Sequence, residues 1–102
     1  MGGWVIIWCL RIGQFLVVSG QHGPPILIPF NVHTKMYYFK IFTIKNNHQI
    51  YKQSPSDSHT KSVTDMDALS TLEVFVTVAA GDYFMKLWDN KNVLLSKSFI
   101  LL

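Results

Sequence analysis

Four histidines, His22, His33, His48 and His59, and one cysteine, Cys9, are the side chains of this 102-residue sequence best suited to holding a metal. No two of the histidines stand at the short helical or finger spacing that brings two ligands onto one ion, and there is no second thiolate. They read as turn and loop residues. Nucleophilic catalysis needs a serine or cysteine with a base in reach and donors for an oxyanion, and no nucleophile-elbow motif is present. Asp57, Asp65 and Asp67 could supply paired carboxylates, but their polar surroundings fit a solvated loop better. Gly2-Gly3 and Gly20 with Gly23 lack the spacing of a phosphate-cradling loop. The expectation is a protein that is not an enzyme, with no metal and no cofactor.

Composition sets the frame for these residues. Hydrophobic residues make up 49% of the chain and charged residues 15%, which implies surfaces that seek cover. The formal charge of +3 comes from nine basic residues scattered singly between Arg11 and Lys97, so a nucleic-acid patch is not expected. A lone cysteine cannot staple the fold and fits a reducing compartment, cytoplasmic or nuclear; within its apolar run Cys9 reads as a small buried hydrophobe. The alternative is a small secreted or membrane-associated protein with residues 1–20 as a targeting segment, Val18-Ser19-Gly20 serving as the cleavage site. Against it stand the missing basic residue before the apolar run and the interruption by Arg11 and Gly13, so a membrane role is not favoured.

The elements that must position these residues are strands. Residues 4–8 (WVIIW) and 14–19 (QFLVVS) form a β-hairpin about a turn containing Gly13. Gly20 to Pro25 breaks structure, and residues 26–30 (ILIPF) give a third strand in which Pro29 permits only an edge or a distorted end. Residues 36–44 form a strand, Lys45 to His48 a turn, and residues 49–53 its partner. A polar loop, 54–62, follows, with nothing apolar to hold it down. Residues 64–72 carry the sole helix-favouring pattern, a single turn capped by Thr64 or Asp65. Then come a strand at 73–79, with Val74, Val76 and Val78 on one face and Phe75, Thr77 and Ala79 on the other, a turn at Ala80-Gly81-Asp82, a strand ending in Trp88, a second turn, and a final strand. The fold class is all-β, an antiparallel meander of short strands.

The chain also repeats itself. Residues 37–42 (YYFKIF) lie 46 residues before 83–88 (YFMKLW), pairing Lys40 with Lys86 and Phe42 with Trp88, and Trp8 precedes Trp88 by 80 residues. A period of about 40 to 46 in a β-rich chain is that of propeller blades. With Trp8 followed by a Leu-Arg-containing turn, a strand and Gly20…His22, and with His59 placed 29 residues before Trp88-Asp89, the sequence resembles the WD-repeat β-propeller family.

That resemblance implies incomplete propeller blades, two to three units. Residues 1–53 hold a first and a degenerate middle unit, 54–62 a linker loop, and 63–102 the best-preserved blade. It implies structural roles for Trp8, His22, His59, Asp82, Trp88 and Asp89, with the turn aspartate and loop histidine tied to a second-strand hydroxyl and the indole. By family register that hydroxyl falls on Val78, with Thr77 on the opposite face, so the network is expected to be broken. Cys9 replaces the aspartate after the first tryptophan, and Ser58 stands where glycine precedes the histidine. The implied function is a non-catalytic scaffold that binds other proteins, with self-association through uncovered blade faces. A further alternative is a fragment with no stable fold or selected function.

Overall fold

The computed structural model describes residues 6–20, 23–29 and 51–100. They form two four-stranded antiparallel sheets, each in simple sequential order, and neither closes into a barrel or propeller. The first comprises β1 (Ile6–Ile12), β2 (Phe15–Gly20), β3 (Ile26–Pro29) and β4 (Tyr51–Lys52). The second comprises β5 (Asp65–Leu69), β6 (Val74–Ala79), β7 (Phe84–Trp88) and β8 (Leu94–Phe99). The fold is thus all-β. No helix among the described residues is long and apolar enough to cross a membrane. The strand and turn expected at 36–48 lie outside the described residues.

Each sheet turns one apolar face to the other. Ile12, Val17 and Leu27 of the first meet Met66, Phe75 and Trp88 of the second in one buried cluster, with Trp8, Leu10, Phe15 and Tyr51 packed around it. Burial of side chains this size contributes roughly 1.5–3 kcal/mol each, the main term holding the sheets together. Phe75 and Trp88 are directly opposed across β6 and β7, and their rings stack at 6.3 Å.

Three local expectations change. The stretch read as helix-favouring is strand β5 followed by one turn of 3-10 helix at Ser70–Leu72. Met66 and Ala68 face inward at a spacing of two, and Asp65 and Asp67 each accept the N–H of the following residue, a local bond compatible with extended backbone. Cys9 is exposed rather than buried, because Trp8 and Leu10 beside it take the inward positions on β1. Partial shelter pushes its thiol up, away from a reactive thiolate. Trp8, paired in the repeat with Trp88, sits early in the first strand of its sheet, whereas Trp88 ends the third strand of the other. Pro29 does stand at a strand end, where β4 reaches only Ile26 and Leu27.

The β1–β2 turn also joins the sheets. Gly13 has φ +52° and donates its N–H to Ser70 Oγ at 2.9 Å, and a Cβ at this position would overlap the Glu73 carboxylate. Gly13→Ala should therefore lower stability by about 1–2 kcal/mol from the left-handed backbone alone, with more from the clash, read as a fall in the urea midpoint at unchanged slope.

Candidate functional site

Three of the residues singled out in the second half of the chain, His59, Asp82 and Trp88, converge on the inward face of the second sheet. A turn at 80–83, with Tyr83 at φ +64°, reverses the chain from β6 to β7 and holds Asp82 beside the loop that carries His59. His59 Nδ1 lies 2.9 Å from Asp82 Oδ2, and their side chains are 3% and 7% exposed. His59 Nε2 lies 2.7 Å from Thr77 Oγ1, and the Trp88 indole N–H donates to that same oxygen at 2.9 Å. Thr77 and Trp88 are both fully buried.

Donor and acceptor chemistry fixes the direction of this chain. An indole N–H can only donate and a carboxylate can only accept. With Nδ1–H donating to Asp82, the neutral ring leaves Nε2 as an acceptor for the Thr77 hydroxyl, and the threonine oxygen accepts from Trp88. Four side chains thus run Trp88 to Thr77 to His59 to Asp82, every link made. The Asp82 carboxylate is further loaded by the backbone N–H groups of Thr60, on Oδ2, and Phe84, on Oδ1. Burial pushes its carboxyl pKa up, but the hydrogen bonds from the Phe84 N–H, the His59 ring and the Thr60 N–H together outweigh that and hold it below the usual carboxylate value.

The hydroxyl in this network is Thr77, not Val78. The strand alternation puts Phe75, Thr77 and Ala79 on the buried face and leaves Val74, Val76 and Val78 only half-buried on the other. Because Trp88 pairs with Phe75, the indole lies on the threonine face. The network expected to be broken is complete.

The 54–62 loop is also more firmly held than its composition suggests. Lys86, only 7% exposed, projects from the same face and donates from Nζ to the carbonyls of Asp57 at 2.6 Å and Ser58 at 3.3 Å. Backbone bonds from Asp57 and Ser58 to the Ser54 carbonyl close the loop's first turn. Lys86 thus seats the polypeptide that delivers His59. Asp89, next to Trp88, accepts the N–H groups of Lys91 and Val93 and shapes the β7–β8 turn. In that turn Asn92, at φ +64° and 2% exposed, donates its side-chain amide to the carbonyls of Pro25, just before β3, and Tyr51, in β4. Thr77, Lys86 and Asn92 are not expected as site residues from sequence; family register puts Thr77 on the wrong face, Lys86 enters only as the repeat partner of Lys40, and Asn92 only as part of a polar hairpin turn. Trp8 lies in β1, apart from this network, and His22 lies outside the described residues.

Asp82, His59 and Thr77 share the order of a hydrolytic triad. The arrangement lacks what hydrolysis needs, since the hydroxyl is fully buried and its oxygen already accepts the indole proton. A cleft of about 330 Å³ opens beside the loop, lined by Gly20, Pro24, Pro25, His59, Lys61 and Val63 among others. Both histidine nitrogens are engaged elsewhere, so the ring offers that cleft only carbon. Among the described residues no three metal-binding side chains converge. Comparison with protein-family models, curated proteins and solved structures found no match.

Two tests follow from this geometry. Thr77→Val keeps the shape but strands the Trp88 N–H and His59 Nε2, and should cost about 2–4 kcal/mol in urea unfolding, whereas Thr77→Ser keeps the hydroxyl and should cost less. The lowered Asp82 pKa gives stability that is present above the ordinary value of 3.8 and lost as pH falls through the lower, folded-state value. Thermal midpoints between pH 6 and pH 2.5 should therefore fall more steeply for the natural chain than for Asp82→Asn.

Proposed function

We propose that the chain is a non-catalytic protein-interaction module made of propeller-type blades of the WD-repeat class. The observation that carries this reading is the four-residue chain from Trp88 to Asp82. It joins a loop histidine, a turn aspartate, a second-strand hydroxyl and a third-strand indole, the set that the resemblance implies, and it spends every polar atom on holding a loop to a sheet. A site built this way fixes architecture and leaves nothing free for chemistry. The second supporting feature is the outward face of the second sheet, where Val74, Val76, Val78 and Leu87 are only half-buried and Leu69 and Met85 are exposed. Contiguous apolar surface of that kind marks a partner site.

Other proteins are the partners that this surface suits, and a lone cysteine, which cannot form an internal disulfide, is in keeping with the cytoplasm or nucleus. Removal of residues 1–20 as a targeting segment would delete β1 and β2, and with them Ile12 and Val17 from the cluster around Trp88. That weighs against secretion. The reading is tested on the full chain by two measurements. Urea unfolding followed by tryptophan fluorescence should show one cooperative transition, and chemical cross-linking in a cytosolic extract should give adducts that Val76→Lys abolishes. A broad, non-cooperative transition, or adducts indifferent to Val76→Lys, overturns it.

A further inference from the structure

The open face of the second sheet has a chemical polarity across its strands. One row runs Asp67, Val76, Leu87, Ser96 and the next Asp65, Val78, Met85, Ser98, each residue paired with its neighbour in the row. Carboxylates therefore line the β5 side, aliphatic side chains fill the middle two strands, and hydroxyls line the β8 side. All four polar residues are exposed. The lysines of β7 and β8, Lys86 and Lys97, belong to the opposite face, where both ammonium groups sit over the Phe84 ring. None of the four strands therefore presents a lysine or arginine on the open face, and beyond the local N–H each accepts, the carboxylates of Asp65 and Asp67 are open to a partner's donors.

Such a face is complementary to itself in one orientation. A two-fold axis lying between the sheets and parallel to the strands sets β5 of one copy over β8 of the other and β6 over β7. Asp67 then faces Ser96 of the second copy and Val76 faces Leu87, so hydroxyls donate to carboxylates at both flanks around an apolar centre. An axis perpendicular to the strands instead stacks β5 on β5 and brings Asp65 against Asp67, which like-charge repulsion disfavours. Resting on the interaction reading above, we propose that the partner of this face is a second copy of the chain, docked about the strand-parallel two-fold as an aligned sandwich.

The size of the face sets the strength of the contact. Four strands about 4.8 Å apart and five residues long give roughly 19 by 17 Å, or ~320 Å² of flat area per copy. Even after side-chain relief is added, the two copies bury less than the ~1,200 Å² at which stable interfaces begin, so the dimer is weak and concentration-dependent.

Sedimentation velocity on the full chain across about 1–300 μM should show a reversible monomer–dimer equilibrium with a dissociation constant on the order of 10–300 μM. Val76→Lys, and independently Met85→Lys, should weaken it at least about tenfold while near-ultraviolet circular dichroism stays unchanged. Orientation is read in a Cys9→Ser background with a bismaleimide reagent of about 10 Å span, the separation of packed sheets. A mixture of Asp67→Cys and Ser96→Cys chains should cross-link to each other, and Asp67→Cys alone should not cross-link to itself. A monomer at every concentration overturns the proposal, as does a dimer that survives both lysine substitutions, growth beyond the dimer, or self-cross-linking of Asp67→Cys. If the chain stays monomeric but Val76→Lys still abolishes adducts in the extract, the interaction reading stands and only the choice of partner falls.

Discussion

The fold depends on where the Trp88 indole N–H goes. Trp88 is the largest side chain in the core and fully buried, and its ring carries a donor that cannot be left unpaired there without a cost of about 1–3 kcal/mol. Thr77 supplies the acceptor, but a buried hydroxyl has its own proton to place. His59 accepts that proton and passes the requirement to Asp82, which lies at the protein surface end of the chain and collects two backbone donors besides. One apolar burial event thus dictates the identity of three polar residues and fixes the path of the loop that brings His59 to the sheet.

Lys86 plays a complementary part on the same face. A lysine with its amine buried against backbone carbonyls is an unusual choice in a strand, and it acts by satisfying the carbonyls of Asp57 and Ser58 where the loop crosses the sheet. The loop is polar and short of apolar anchors, yet it is tied down at both ends of its passage, by ammonium to carbonyl at 57–58 and by imidazole and backbone to carboxylate at 59–60.

Much of this was legible in the sequence, and the failures have physical causes. Runs such as VFVTVA and the Gly-, Asn- and Asp-containing turns between them announce antiparallel strands, because β-branched side chains and positive-φ turn residues carry that information locally. The partnership of His59, Asp82 and Trp88 was what the resemblance to a repeat family implied. The hydroxyl could not be assigned correctly by counting along a family pattern, because the face of a strand is set by pairing register: Ala79 opposite Phe84 brings Phe75 opposite Trp88, and the choice of Thr77 over Val78 follows. Strand β5 was hidden because Thr64 and Asp65 look like helix-capping residues, and a five-residue alternation is too brief to outvote them. The buried state of Lys86 depends on a loop folded over it from 28 residues earlier in the chain, which no local pattern records.

Asn92 has a consequence for the order in which the molecule is assembled. The second sheet is built almost wholly from adjacent hairpins, whose contacts close short loops and form quickly. Asn92 sits in the last of those hairpins, but its amide grips Pro25 and Tyr51, 67 and 41 residues earlier in the chain. Those bonds can form only when both sheets exist and have met. Asn92 is therefore a latch that reports completed assembly: a chain emerging from the ribosome can fold its first sheet, and then most of its second, before the two carbonyls waiting at the first sheet find their donor.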